Sequence, residues 1–228
     1  MPDPNSTSLI TFKDWTLRVR ESTSASPRLM LLIHGITGDE NVMWVFARSL
    51  STDYWMVAPR APHASQRQEG GYSWRVVSDD AEAHSRLEQL RDSAESLIHL
   101  VDEYAASVQV DASTFDVMGF SQGAAMCCLL AFLYPERIRK VGLLAGFVPD
   151  GLEAWVSQRP LEGKPFFVAH GTKDETVPVE RARHSVEILE QAGANVTYCE
   201  DEVGHKVSAA CLRGLKDFFR DPRSSPVD

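Results

Sequence analysis

The chain is poor in the features that would place it in several broad classes. Only four of its 228 residues are cysteine, with no Cys-x-x-Cys pair, so neither a disulfide framework nor a cysteine-based zinc site is expected. Cys127 and Cys128 are adjacent and read as small core residues of one helix. No apolar run reaches the ~18 residues of a membrane span. The start, Met1-Pro2-Asp3-Pro4, lacks the basic and apolar regions of a signal peptide. A reducing, cytoplasmic setting without a stable membrane anchor is the simplest expectation. Basic residues are outnumbered, 23 against 32, for a formal charge of −9. With no block of clustered Lys and Arg, nucleic acid is excluded as a partner. No His-Glu-x-x-His occurs and the seven histidines are scattered, so no metal and no cofactor are expected.

What remains is ordinary for a globular protein: 43% hydrophobic and 24% charged residues, enough for a sizeable core. The run Arg28–His34 is nearly all apolar and suits a strand buried on both faces. Further strands are expected over 9–12, 16–20, 55–58, 114–119, 141–144, 165–169 and 195–199. Helices are expected over 43–50, Asp79 to about Ser107, 122–134, 179–191 and 208–219, with a long loop over 59–74. Strand–helix alternation of this kind predicts an α/β fold with a mainly parallel sheet flanked by helices on both faces. The first two strands should be antiparallel at one edge. Residues 1–228 read as a single domain, with 1–8 and 221–228 as mobile tails.

The sharpest motif is Gly119-Phe120-Ser121-Gln122-Gly123, a G-x-S-x-G placed between an apolar strand and a helix. A serine hydroxyl is a weak nucleophile and must project from a tight turn. The glycines on either side allow strand and helix to approach closely. A triad on such an elbow runs in the order serine, acid, histidine. His184 falls inside a helix and His170 precedes the acidic residues, which leaves His205 in the loop before the last helix. Asp174 and Glu175 both sit in the loop after strand 165–169, and spacing does not separate them. Asp201 is too close to His205. The oxyanion would take backbone N–H groups from Gln122, the residue after the serine, and from Ile36 in the loop His34-Gly35-Ile36-Thr37-Gly38-Asp39.

Taken together, His34-Gly35-x-x-Gly38-Asp39, Ala58-Pro59-Arg60-Ala61-Pro62, Ser73-Trp74, Gly119-Phe120-Ser121-Gln122-Gly123-Ala124, His170-Gly171-Thr172-x-Asp174 and Gly204-His205 resemble the phospholipase/carboxylesterase family of α/β-hydrolases. That family includes acyl-protein thioesterases and small bacterial carboxylesterases. The likeness spans about residues 28–219. It implies an α/β-hydrolase fold without a large cap domain, and a serine carboxylesterase acting on esters, thioesters or lysophospholipids. Ser121 would be the nucleophile, His205 the general base and Asp174, chosen over Glu175, the orienting acid. Trp74 would lie near the acyl site and Val177 beside the acid loop, both contacting substrate. Two departures stand out. Lys206 replaces a small residue after the histidine, and the loop Pro62–Gly71, with His63, Ser65, Gln66, Arg67, Gln68 and Glu69, is polar where lipid-active members are apolar. The partner expected is a small-molecule ester or acyl substrate; a homodimer is compatible with the sequence. The same triad would serve amides, peptides or lactones, and a hydrolase fold that binds without cleaving is the reading from another class.

Overall fold

The computed structural model describes residues 6–66, 68–76 and 86–220. Eight strands form one sheet: β1 (Ser8–Phe12), β2 (Trp15–Arg20), β3 (Arg28–Ile33), β4 (Tyr54–Pro59), β7 (Phe115–Phe120), β8 (Ile138–Leu144), β9 (Pro165–Gly171) and β10 (Asn195–Asp201). β5 (His63–Ala64) and β6 (Tyr72–Ser73) make a separate small hairpin. The sheet order is β1-β2-β4-β3-β7-β8-β9-β10. β1 and β2 are antiparallel at one edge, and everything from β4 to β10 is parallel. This is the mainly parallel sheet expected from the alternation, in the arrangement that the resemblance to α/β-hydrolases implies.

Helices α1 (Trp44–Ala47), α2 (Arg86–Val108), α3 (Gln122–Leu133), α4 (Val179–Gln191) and α5 (Ala209–Phe219) cover the sheet. Two cores result. One holds Leu29, Leu31, Ile33, Val117 and most of α2 and α3. The other holds Met30, Leu32, Met118 and α5. Alternate residues of β3 therefore serve opposite faces, which is why that strand is apolar throughout. α3 is apolar all round because it is buried all round, including Cys127 and Cys128.

The expected helix over 43–50 shrinks to α1. Its sequence, Trp-Val-Phe-Ala, is weak in helix formers, and no side chain caps it. The expected start of α2 at Asp79, the two tails and Arg67 lie in whole or part outside the described residues. Part of the expected loop 59–74 is the β5–β6 hairpin, and a 3-10 helix over Leu152–Gln158 was not signalled.

At the strand ends away from the C-terminal loops, Asp116 is wholly buried. It accepts a hydrogen bond from the Tyr54 hydroxyl and a two-point contact from Arg139 at 2.9 and 2.7 Å. A buried carboxylate needs such partners.

The cysteines depart from the all-thiol expectation. Cys199, in β10, and Cys211, in α5, are joined by a disulfide, with their Cα atoms 5.7 Å apart. Only the packing of α5 beside β10 brings them together, and no spacing rule encodes that. The bond closes the crossover that carries His205. Cys199→Ser should therefore lower unfolding free energy by about 2–3 kcal/mol, the loop-closure value for a bridge of this span. Urea denaturation of the two proteins checks this; equal midpoints would mean the bond constrains nothing.

Candidate active site

The parallel strands end together, and the loops beyond their C-terminal ends converge, as in other open α/β sheets. β7 delivers Ser121, β3 the loop 34–39, β9 the acid loop and β10 the His205 loop.

The elbow is sterically tight. Ser121 sits at φ 54°, ψ −116°, a conformation a non-glycine residue holds only when its surroundings enforce it. A Cβ on Gly119 would overlap the Gly123 carbonyl, and one on Gly123 would overlap the carbonyl of Ile33. The two glycines let α3 rise directly from β7 and lie against β3. Ser121 N–H is held by Leu144 C=O at 2.9 Å.

The acid loop is built around Asp174. Its Oδ1 accepts the N–H groups of Thr176 and Val177, each at 2.9 Å. Its Oδ2 lies 2.7 Å from His205 Nδ1. Burial pushes the Asp174 carboxyl up, but the Val177 N–H, the His205 bond and the Thr176 N–H outweigh it and hold it below the usual carboxylate range. Glu175 is exposed, so the structure brings Asp174, not Glu175, to the histidine. The two loops are also zipped by backbone: Thr172 N–H to Asp201 C=O at 2.9 Å and Lys173 N–H to Val203 C=O at 3.0 Å. His170 is buried, and its Nε2 lies 2.8 Å from the Val177 carbonyl, closing the acid loop from below. That structural part for His170 was not anticipated.

His205 and Ser121 line the same groove, with the imidazole 4.9 Å from the Phe120 ring. Among the described hydrogen bonds none joins Ser121 to His205. Such contacts often tighten only when substrate is bound. Lys206 is exposed.

The loop after β3 is braced by residues of the segment 59–74. Thr37 N–H donates to Tyr72 C=O at 2.9 Å and Tyr72 N–H to Gly38 C=O at 3.0 Å. His34 is buried: its Nδ1 lies 2.7 Å from Gly35 C=O, and its Nε2 accepts the Ala61 N–H at 3.0 Å. Burial pushes its pKa down, so the ring stays neutral and can accept. The backbone N–H groups of Ile36 and Gln122 have no hydrogen-bond partner among the described residues, and Gln122 occupies the first turn of α3, where such donors are left over.

Trp74, expected near the acyl site or as a packing residue, is wholly buried and is not among the residues lining the two grooves at Ser121. Its indole N–H donates to His34 C=O at 2.8 Å, and its own N–H donates to Gln122 Oε1 at 3.0 Å. It packs beneath the loop after β3. Val177, by contrast, does line a cavity beside Ser121.

Comparison with known proteins places the chain among esterases in sequence and fold. A family model described as phospholipase/carboxylesterase matches residues 16–221. Acyl-protein thioesterase 1 of Debaryomyces hansenii is 26% identical, covering 90% of this chain and 95% of its own. Carboxylesterase SOBER1 of Arabidopsis thaliana is 24% identical, covering 84% and 89%. In fold, a carboxylesterase from Mesorhizobium loti superposes with a TM-score of 0.77 at 21% identity, over 95% of this chain and 99% of its own.

The Asp174 environment sets a pH dependence. Its folded-state pKa lies below the ordinary value of about 3.9. The stability it contributes is therefore complete above that value and is lost as pH falls through the folded pKa. The stability gap between wild type and Asp174→Asn should be constant at neutral pH and shrink below about pH 4. Urea midpoints across pH measure it, and a gap unchanged by acid would contradict the assignment.

Proposed function

The chain belongs to the phospholipase/carboxylesterase family, and on that premise we propose that it is a serine hydrolase cleaving carboxylic esters through an acyl-enzyme on Ser121. The observation that carries the reading is the 2.7 Å contact from His205 Nδ1 to Asp174 in a groove that also holds the strained Ser121. That contact fixes the tautomer with its proton on Nδ1, so that Nε2 is the basic nitrogen.

His205 Nε2 takes the Ser121 hydroxyl proton as Oγ attacks the ester carbonyl. Asp174 stabilises the imidazolium that forms without taking its proton. The carbonyl oxygen becomes an oxyanion and accepts the Ile36 and Gln122 N–H groups, which have no other partner among the described residues. As the tetrahedral intermediate collapses, Nε2–H protonates the departing alcohol or thiol. A water then enters, gives its proton to Nε2 and attacks the acyl carbon. Collapse returns the proton to Ser121 Oγ and releases the carboxylic acid. The acyl-protein thioesterase and carboxylesterase relatives support the ester and thioester class.

The cytoplasmic placement proposed from the sequence is opposed by the Cys199–Cys211 bond, which is more typical of an oxidising compartment. Among the described residues no helix is long and apolar enough to cross a membrane.

Ser121→Ala and His205→Ala should each lower kcat on a p-nitrophenyl ester by about 10⁴–10⁶, with unchanged circular dichroism. Near-wild-type turnover by either folded variant would end this reading.

A further inference from the structure

Two hollows meet at Ser121, and they differ in character. One, of about 460 Å³, also touches His205 and is walled by Val42, Val45, Phe46 and Phe120. Val42 and Val45 are 43% and 56% exposed, so this groove opens to solvent over an apolar lip. They are two of the four large apolar side chains exposed among the described residues. Exposed apolar side chains gathered at a groove are a common mark of a binding site, where scattered ones are not. The other hollow, of about 220 Å³, touches Ser121, Ile36 and Gln122 but not His205.

An aromatic wall runs from the apolar lip to the imidazole. Phe46 stacks on Phe120, with ring centroids 5.4 Å apart and 23° between the planes, and Phe120 lies 4.9 Å from the His205 ring. Phe120 ends β7 and immediately precedes Ser121, so the wall is fixed to the strand that carries the nucleophile. Apart from His205, none of the described residues lining this groove has a charged side chain, on a chain in which 24% of residues are charged. Lys206, next to His205 in sequence, is exposed and is not among them. Such a groove offers a charged group nothing in exchange for its water, and gains from covering an apolar one.

The mechanism assigns the two hollows. In the tetrahedral intermediate the carbonyl carbon carries Ser121 Oγ, the oxyanion, the leaving-group atom and the acyl chain. The oxyanion is taken by the Ile36 and Gln122 N–H groups. The leaving-group atom must receive its proton from His205, so that group extends into the groove that contains the imidazole. The acyl chain is left with the smaller cavity. That cavity is below the roughly 300–1,000 Å³ of pockets for drug-sized ligands, so it suits a short acyl group.

We propose that Val42, Val45 and Phe46 are specificity-determining residues that select the leaving group. The substrate class is the ester or thioester of a short carboxylic acid with a longer, apolar alcohol or thiol. The carbons of that leaving group lie along Phe120 and Phe46 and cover the two valines, releasing water from both surfaces. His205 protonates the leaving oxygen or sulfur as its bond to the carbonyl carbon breaks, and water then carries the acyl group away as the short acid. The inference rests on the serine-esterase reading above and names the substrate class for it.

The test sets hexyl butyrate against the monobutyrate of diethylene glycol, whose leaving group has the same length but an oxygen in place of one methylene and a hydroxyl in place of the methyl. The two esters compete in one dilute mixture, and the loss of each, followed by gas chromatography with Ser121→Ala as the background, gives the ratio of their kcat/KM values. The glycol is the more acidic alcohol and the better leaving group, so a preference for the hexyl ester reports binding. Wild type should prefer the hexyl ester by about five- to tenfold, the range for two such exchanges at a half-open apolar wall. The preference should fall to about twofold or less in the double variant Val42→Asn, Val45→Asn, with unchanged circular dichroism, and persist in Val45→Leu. The ratio between ethyl butyrate and ethyl hexanoate, which differ only on the acyl side, should not move in the double variant; a shift there instead would seat the acyl chain in the groove and overturn the proposal. Equal or faster cleavage of the glycol ester by wild type, with Ser121 still required, overturns this proposal and leaves the esterase reading intact. A hexyl preference that survives in the folded double variant overturns the residue assignment, and a dimer split by that variant with the ratio unchanged would make the lip a contact between copies. Absence of Ser121-dependent cleavage of any of these esters overturns the esterase reading, and this proposal falls with it.

Discussion

The close contact of β7, α3 and β3 at the elbow is the constraint from which the rest of the site follows. Gly119 and Gly123 let the backbone fold back within van der Waals distance of Ile33 and of itself. The left-handed turn at Ser121 is the cost, about 1–3 kcal/mol for a residue of this kind. It is sustained by a helix that is buried on every side. The same turn points the serine out of the sheet and leaves the Gln122 N–H without a helical partner. One packing arrangement thus presents both the proposed nucleophile and one proposed oxyanion donor.

The surrounding loops hold each other instead of relying on solvent-exposed pairs. Gln122 reaches from the elbow to Trp74, Trp74 reaches to His34, and the His34 ring bridges Gly35 and Ala61. On the other side, His170 braces Val177 and Asp174 braces His205. Three histidines near the site therefore do different work. Two are buried and fixed on backbone groups. His205 is partly exposed and lies in the groove with the serine, the position a proton carrier needs.

Much of this was legible in the residues. Strand and helix order, the parallel sheet and the elbow followed from apolar runs, helical spacing and one glycine-flanked serine. The order of Ser121, Asp174 and His205 followed from the elbow and the family resemblance, and the structure brings Asp174 and His205 into contact. What failed depends on contacts distant in sequence. Resemblance placed Trp74 near the acyl site, and the residues alone did not show that its indole N–H is satisfied by a carbonyl 40 residues away, under the loop. The Cys199–Cys211 bond requires knowing where α5 docks.

The central claim is that Ser121 alone is activated as a nucleophile. Intact-mass and peptide mass spectrometry after treatment with a fluorophosphonate test it directly. The account predicts one phosphonyl group per chain, carried by Ser121, and adduct formation that is greatly slowed when His205 is replaced. An unmodified chain, or an adduct on another residue at the same rate, would contradict it.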